Sequence, residues 1–224
     1  SLDTTGELNL LGTKDFDLGD VTAASVTSTS TGAITLDTAN ASLDTITTGG
    51  GADHLTLDEN AAVMVLSAGE GNDVVIANNA NDSEYDLGGG NDQITITNNN
   101  TAEINAGSGN DTIITGISSD MIIAGGDGSD ILRIVGGGNI DVSANTNFSI
   151  MSIETIDLNG SNTGLQISAD QFNNNNTFTL TGNSASTNIL TITGSTGADT
   201  VDMSGITVNN ASTRVTGGAG HDTF

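Results

Sequence analysis

The chain has 224 residues, with 28 Asp and Glu against 3 Lys and Arg, for a formal net charge of −25. So acidic a surface repels phosphate backbones, which argues against nucleic acid as a partner, and no apolar run is long enough for membrane insertion. With no cysteine, proline or tryptophan and 3% aromatic residues, there is no disulfide framework and little of the bulk an ordinary globular core uses; without cations the same composition would suit disorder.

Residues 1–42 carry strand texture without a complete glycine-aspartate turn. Leu8 and Leu10, Phe16 and Leu18, and Ile34 and Leu36 alternate with polar or acidic neighbours, the period of a half-buried strand. We read this segment as coils that lack such a turn, the first of which serves as the cap that repeat folds need.

From 43 to 135 one phrase recurs. It reads T-G-G-G-A-D-H-L from Thr48, A-G-E-G-N-D-V-V from Ala68, L-G-G-G-N-D-Q-I from Leu87, A-G-S-G-N-D-T-I from Ala106 and G-G-D-G-S-D-I-L from Gly125. Its aspartates are Asp53, Asp73, Asp92, Asp111 and Asp130, one step of 20 residues and three of 19. A fixed period of this length marks a solenoid. Two residues after each aspartate stands Leu55, Val75, Ile94, Ile113 or Leu132; seven before it stands Ile46, Leu66, Tyr85, Ile104 or Ile123. Each period is therefore two short strands flanking the glycine-aspartate turn, with a second turn closing the coil.

A backbone that reverses within a few residues needs positive φ values, which glycine adopts without penalty. Carbonyls directed into such a bend, beside an aspartate carboxylate, form a hard oxygen donor set that suits calcium better than a soft transition metal.

The phrases at Gly125 and at Gly217 (G-G-A-G-H-D-T-F) resemble the nonapeptide repeat of RTX proteins. The resemblance implies an all-β fold, a right-handed parallel β-solenoid (RTX-like β-roll), with calcium held between successive turns. Carried over position by position, the implied ligands are the carboxylates of Asp53, Asp73, Asp92, Asp111, Asp130, Asp199 and Asp222. Loop carbonyls join them, at Gly49 and Gly51, Gly69 and Gly71, Gly88 and Gly90, Gly107 and Gly109, and Gly126 and Gly128. Glu70 and Asp127, at the third motif position, are candidates for a second carboxylate and equally for plain surface side chains. The family repeats its unit back to back, whereas here every second turn lacks the motif: Asp58 to Ala61, Asn78 to Asp82, Asn98 to Thr101 and Gly116 to Ser119. Calcium is therefore expected along one edge only, with about four Ca2+ ions or more, since five stacked loops leave four gaps.

Residues 136–188 break the register and form an Asn/Ser/Thr-rich segment read as irregular β-structure. Strands are expected at Ile150 to Leu158, Leu165 to Ile167 and Phe178 to Leu180, with one helical turn over Ser168 to Phe172 capped by Ser168. The phrase S-I-E-T-I-D-L loosely resembles segments between RTX-like repeats of large bacterial surface proteins. Residues 189–224 restore the rule, with Ile192 and Val201 around Asp199, and Val215 and Phe224 around Asp222. One further calcium is expected between those two aspartates.

Nothing points to an enzyme. His54 and His221 sit in separate turns without a cysteine or third histidine to complete a zinc site, and the many serines lack a histidine beside a strained elbow. The expected role is a calcium-dependent structural module of a secreted bacterial surface-layer protein, extracellular at the cell surface, a fragment of something larger. Its expected partners are further copies of itself in a lattice and a cell-surface polysaccharide. The alternatives are a region of a giant RTX adhesin and the RTX tail of a type I secreted exoenzyme or toxin. Ice binding fits less well, because the third motif position (Gly50, Glu70, Gly89, Ser108, Asp127) is no uniform array.

Overall fold

A computed structural model describes residues 2–3, 6–37, 43–57, 64–78, 80–97, 99–117, 120–136, 138–158, 163–173, 175, 177–183 and 188–224. Each coil of the repeat region lays one strand on either side of the glycine-aspartate turn, as Val65–Ser67 and Val74–Ala77 do around Asp73. Stacking the coils makes two walls of parallel strands, an eight-stranded sheet from Glu7–Leu10 to Ser149–Met151 and an eleven-stranded sheet from Leu2–Asp3 to Thr207–Asn209. The chain is thus an all-β parallel solenoid of about nine turns.

The pairing register follows the sequence period. Tyr85 lies opposite Leu66 and Ile104, and Ile94 opposite Val75 and Ile113. Like positions therefore stack into apolar columns, and Leu55, Val75, Ile94, Ile113 and Leu132 are all fully buried, as are Ile46, Leu66, Ile104 and Ile123 on the facing wall. Because a coil is too thin to bury its apolar face alone, each rung gains its core from the rung above and below.

The far turns differ from the sequence reading. Ala80 to Asp82 and Asn99 to Thr101, expected as turn, belong to the strands Ala80–Asp86 and Asn99–Ser108. Those strands pair with each other, Ala80 with Asn99 and Asn81 with Thr101, and this pairing draws the polar residues into the ladder through an irregular register. Asp58 to Ala61, Ser118 and Ser119 lie outside the described residues.

The large sheet continues without interruption through the segment read as irregular: Ile131 pairs with Thr155, Thr155 with Thr179, and Thr179 with Thr207. What changes is the coil. The step from Arg133 to Asp157 is 24 residues, and the facing wall passes to a separate four-stranded sheet, Gly138–Asp141, Thr163–Ser168, Ile189–Thr193 and Ser212–Thr216. The next coil, in which Asp157 pairs with Thr181 after a step of the same length, holds the helix Ala169–Asn173. Ser168 caps it as expected, accepting the Gln171 N–H at 3.2 Å, while Gln171 Oε1 accepts the Ser168 N–H at 2.7 Å, a reciprocal capping box. Phe172 closes the core edge-on against Phe178.

Candidate metal centre

Each repeat aspartate stands immediately before a strand of the large sheet, at the inner corner of the turn. Asp53, Asp73, Asp92, Asp111 and Asp130 are all buried, at most 2% exposed. Each carboxylate accepts, through one oxygen, the backbone N–H of the corresponding residue one rung earlier. Asp53 takes that of Ile34 (2.7 Å), Asp73 that of Asp53 (2.8 Å), Asp92 that of Asp73 (2.7 Å), Asp111 that of Asp92 (2.7 Å) and Asp130 that of Asp111 (2.8 Å). The result is a column of carboxylates threaded on backbone donors.

The second oxygen of every one of these five aspartates is buried without a hydrogen-bond partner. A buried charge with an unmatched acceptor costs several kcal/mol unless a proton or cation meets it. Burial accordingly pushes Asp73 up to about 6 and Asp92 to about 7 from 3.8, the N–H of the earlier rung working against it and neighbouring aspartates adding to it. Asp53, Asp111 and Asp130 are raised too, chiefly by burial.

The turns above the column explain their glycines. Gly71, Gly90, Gly109 and Gly128 have φ between 132° and 145°, and a Cβ on any of them would run into the carbonyl of the matching glycine one rung earlier. Backbone N–H groups bond neighbouring loops together, as in Gly89 N–H to Gly69 O (2.8 Å) and Gly90 N–H to Ser108 O (2.8 Å). Carboxylates that each hold one unmatched oxygen thus stand at the end of loops whose carbonyls are stacked rung on rung. Such a donor set fits a hard divalent cation, which takes six to eight oxygens including carboxylates and carbonyls; Asp53, Asp73, Asp92, Asp111 and Asp130 would hold it with the loop glycines. Among the described residues no three His, Cys, Asp or Glu side chains converge on a common metal position, and His54 and His221 are exposed, in separate turns.

Other expected ligands fall elsewhere. Glu70 and Asp127 are exposed on the outside of the turn, away from the buried column. Asp222 accepts the Asp199 N–H at 3.1 Å, repeating the ladder bond, but both are only half-buried. Asp199 is moreover already met by the Ser195 N–H at 2.7 Å.

Two features escaped the sequence reading. Glu154, itself exposed, continues the ladder of bonds, its Oε2 accepting the Asp130 N–H at 2.7 Å. It stands directly before the strand Thr155–Leu158, and buried Ile156 follows it two positions on, where each repeat aspartate has its apolar residue; that spacing was the available signal. The second is an outer ladder of Asn72, Asn91 and Asn110, whose side-chain oxygens accept the N–H of Asn91 (2.7 Å), Asn110 (2.7 Å) and Ser129 (2.9 Å). It runs in the opposite sense to the aspartate column, so the turns from Asp73 to Asp130 are tied by both ladders.

Residues 38–61, 65–94 and 98–132 match the family described as RTX calcium-binding nonapeptide repeat (4 copies). These stretches contain the five repeat aspartates with unmatched oxygens, Asp53, Asp73, Asp92, Asp111 and Asp130; Asp37, just before them, also has a buried unmatched oxygen. No curated protein and no solved structure matched the chain.

Proposed function

We propose that this chain is a calcium-dependent structural module of a secreted bacterial surface-layer protein, which self-assembles at the cell surface and is stiffened by calcium. The observation that supports it is the column of five buried aspartates with unmatched oxygens, inside RTX calcium-binding repeats that occupy only the middle of a longer solenoid. Calcium bound there supplies the positive charge that the carboxylates need in order to stay ionised while buried. The chain's own part is to fix rung against rung, through the aspartate and asparagine ladders and the glycine loops, giving a stiff rod. A net charge of −25 keeps copies apart until cations screen it, which makes assembly a calcium response.

The continuation of the large sheet well beyond the repeats favours a structural element over an exoenzyme tail, where dense tandem repeats would be expected. A cell-surface polysaccharide is the further partner that this reading carries. Electron microscopy before and after calcium addition tests it: ordered sheets or arrays support the surface-layer role. Monomeric rods in saturating calcium would instead favour a spacer region of a large adhesin.

A further inference from the structure

We infer that the short loop Ser152–Glu154 builds one more calcium site on this edge, against the loop of Asp130, with Glu154 as its carboxylate ligand. The inference rests on the calcium reading of the aspartate column, and it concerns a loop that bears no glycine-aspartate motif.

The backbone brings the two loops into register. Ile122, Ile123 and Ala124 pair with Ser149, Ile150 and Met151, and Ile131, Leu132 and Arg133 pair with Thr155, Ile156 and Asp157. Between those strands the lower turn has the glycine-rich run from Gly125 to Asp130, whereas the upper turn has only Ser152, Ile153 and Glu154. Ser152 takes the left-handed conformation that glycine takes elsewhere, with φ 51°. Its carbonyl comes down against Gly125, where a Cβ would collide with it and would also lie 2.6 Å from Asp130 Oδ2. Gly125 is the only glycine at the first motif position among the five repeats, and its missing side chain lets both oxygens face the same small space.

Asp130 is fully buried and its Oδ2 has no hydrogen-bond partner. The Glu154 carboxylate is fixed beside it by the 2.7 Å bond from the Asp130 N–H, within the range of the bonds in the aspartate column. The longer glutamate side chain makes up for the shorter loop. Two carboxylates and a carbonyl therefore converge with no cationic side chain to balance them, because Arg133 is paired at 2.9 Å with Asp157 on the adjoining strand. Oxygen-only donors carrying two negative charges call for a hard divalent cation. One rung further on, the Asn175 amide both accepts the Ile153 N–H (3.2 Å) and donates to the Ile153 carbonyl (2.9 Å). A neutral group that satisfies itself needs no ion, so the metal edge ends there.

The experiment counts calcium ions on the full chain by native mass spectrometry, with affinities from titration. E154Q keeps an oxygen for the Asp130 N–H but removes the charge; it should bind one ion fewer than the parent chain, with the other sites retained. Gly125→Ala should lose the same ion. An E154Q chain that binds the parent number with unchanged affinity overturns the inference while leaving the calcium reading intact. A parent chain that binds no calcium overturns both. Should E154Q not fold, the side-chain carboxyl 13C shift of Glu154 in the parent chain decides: it should move with added calcium together with those of the repeat aspartates, and a static signal overturns the inference.

Discussion

The repeat coils and the coils that follow share one continuous sheet yet solve the problem of their acidic residues in opposite ways. In the first region, five buried aspartates hold a chain of backbone N–H groups with one oxygen each and leave the other unmatched. In the second, Asp199 and Asp222 are half-buried, and Asp199 is met by Ser195, while Asn175 and Asn188 take backbone roles through neutral amides. Asn188 donates to Leu158 O at 2.6 Å and accepts the Asn183 N–H at 2.8 Å. The same architecture can thus be closed by protein groups alone or left dependent on an ion, and the choice is made side chain by side chain.

The comparison predicts its own largest break. Chelating calcium at pH 8 should collapse hydrogen-exchange protection across residues 43–135 far more than across 149–216; equal loss in both regions would show that the ion dependence is not local to the aspartate column. Next in size is the glycine contrast. Gly90→Ala puts a Cβ into the Gly71 carbonyl at φ 144° and should cost about 3 kcal/mol or more in denaturant melts, combining left-handed strain with a clash against fixed backbone. Gly138→Ala has φ 101° but meets nothing within 4 Å, so about 1 kcal/mol of strain is expected.

Asp92→Ala removes both a bond to the buried Asp73 N–H and a carboxylate flanked by two others. We expect a stability loss of about 1–3 kcal/mol and a clear loss of calcium affinity, against a smaller effect of Asp222→Ala at the half-exposed end. Comparable effects in a calcium titration would mean that burial does not set the strength of these sites.

The acid-base response is the subtlest effect. In the metal-free chain Asp73 and Asp92 are held at about 6 and about 7, above the ordinary 3.8. Below pH 3.8 folded and unfolded chains are both protonated there; as pH rises the unfolded chain ionises first, so this stability is lost as pH passes through 6 to 7. The metal-free melting temperature should therefore be higher at pH 5 than at pH 8. Calcium, which competes with protons for the same oxygens, should reverse that order. A metal-free melting temperature that rises from pH 5 to pH 8 would contradict the burial of these groups as acids.

Much of the repeat region was legible because stacking makes sequence period and spatial register the same quantity. Leu55, Val75, Ile94, Ile113 and Leu132 could be placed in one buried column from spacing alone. The direction of the aspartate bonds was not legible, since a carboxylate at the end of a turn can face a neighbouring N–H, an ion or solvent, and only the rung offset decides. Glu154 was hidden for a different reason: its loop uses Ser152 where the repeats use glycine, so the motif disappears while the geometry persists. The continuity of the large sheet past Ile134 was equally invisible, because the step lengthens to 24 residues and the second wall changes partner, which removes the constant period that a reader follows.

The most direct test is anomalous diffraction from crystals grown in calcium. The account predicts calcium peaks along the turn edge between the rungs of Asp53 and Asp130, each within about 2.3–2.6 Å of a second aspartate oxygen. Refined density showing those oxygens without an ion, protonated and packed against one another, would contradict it.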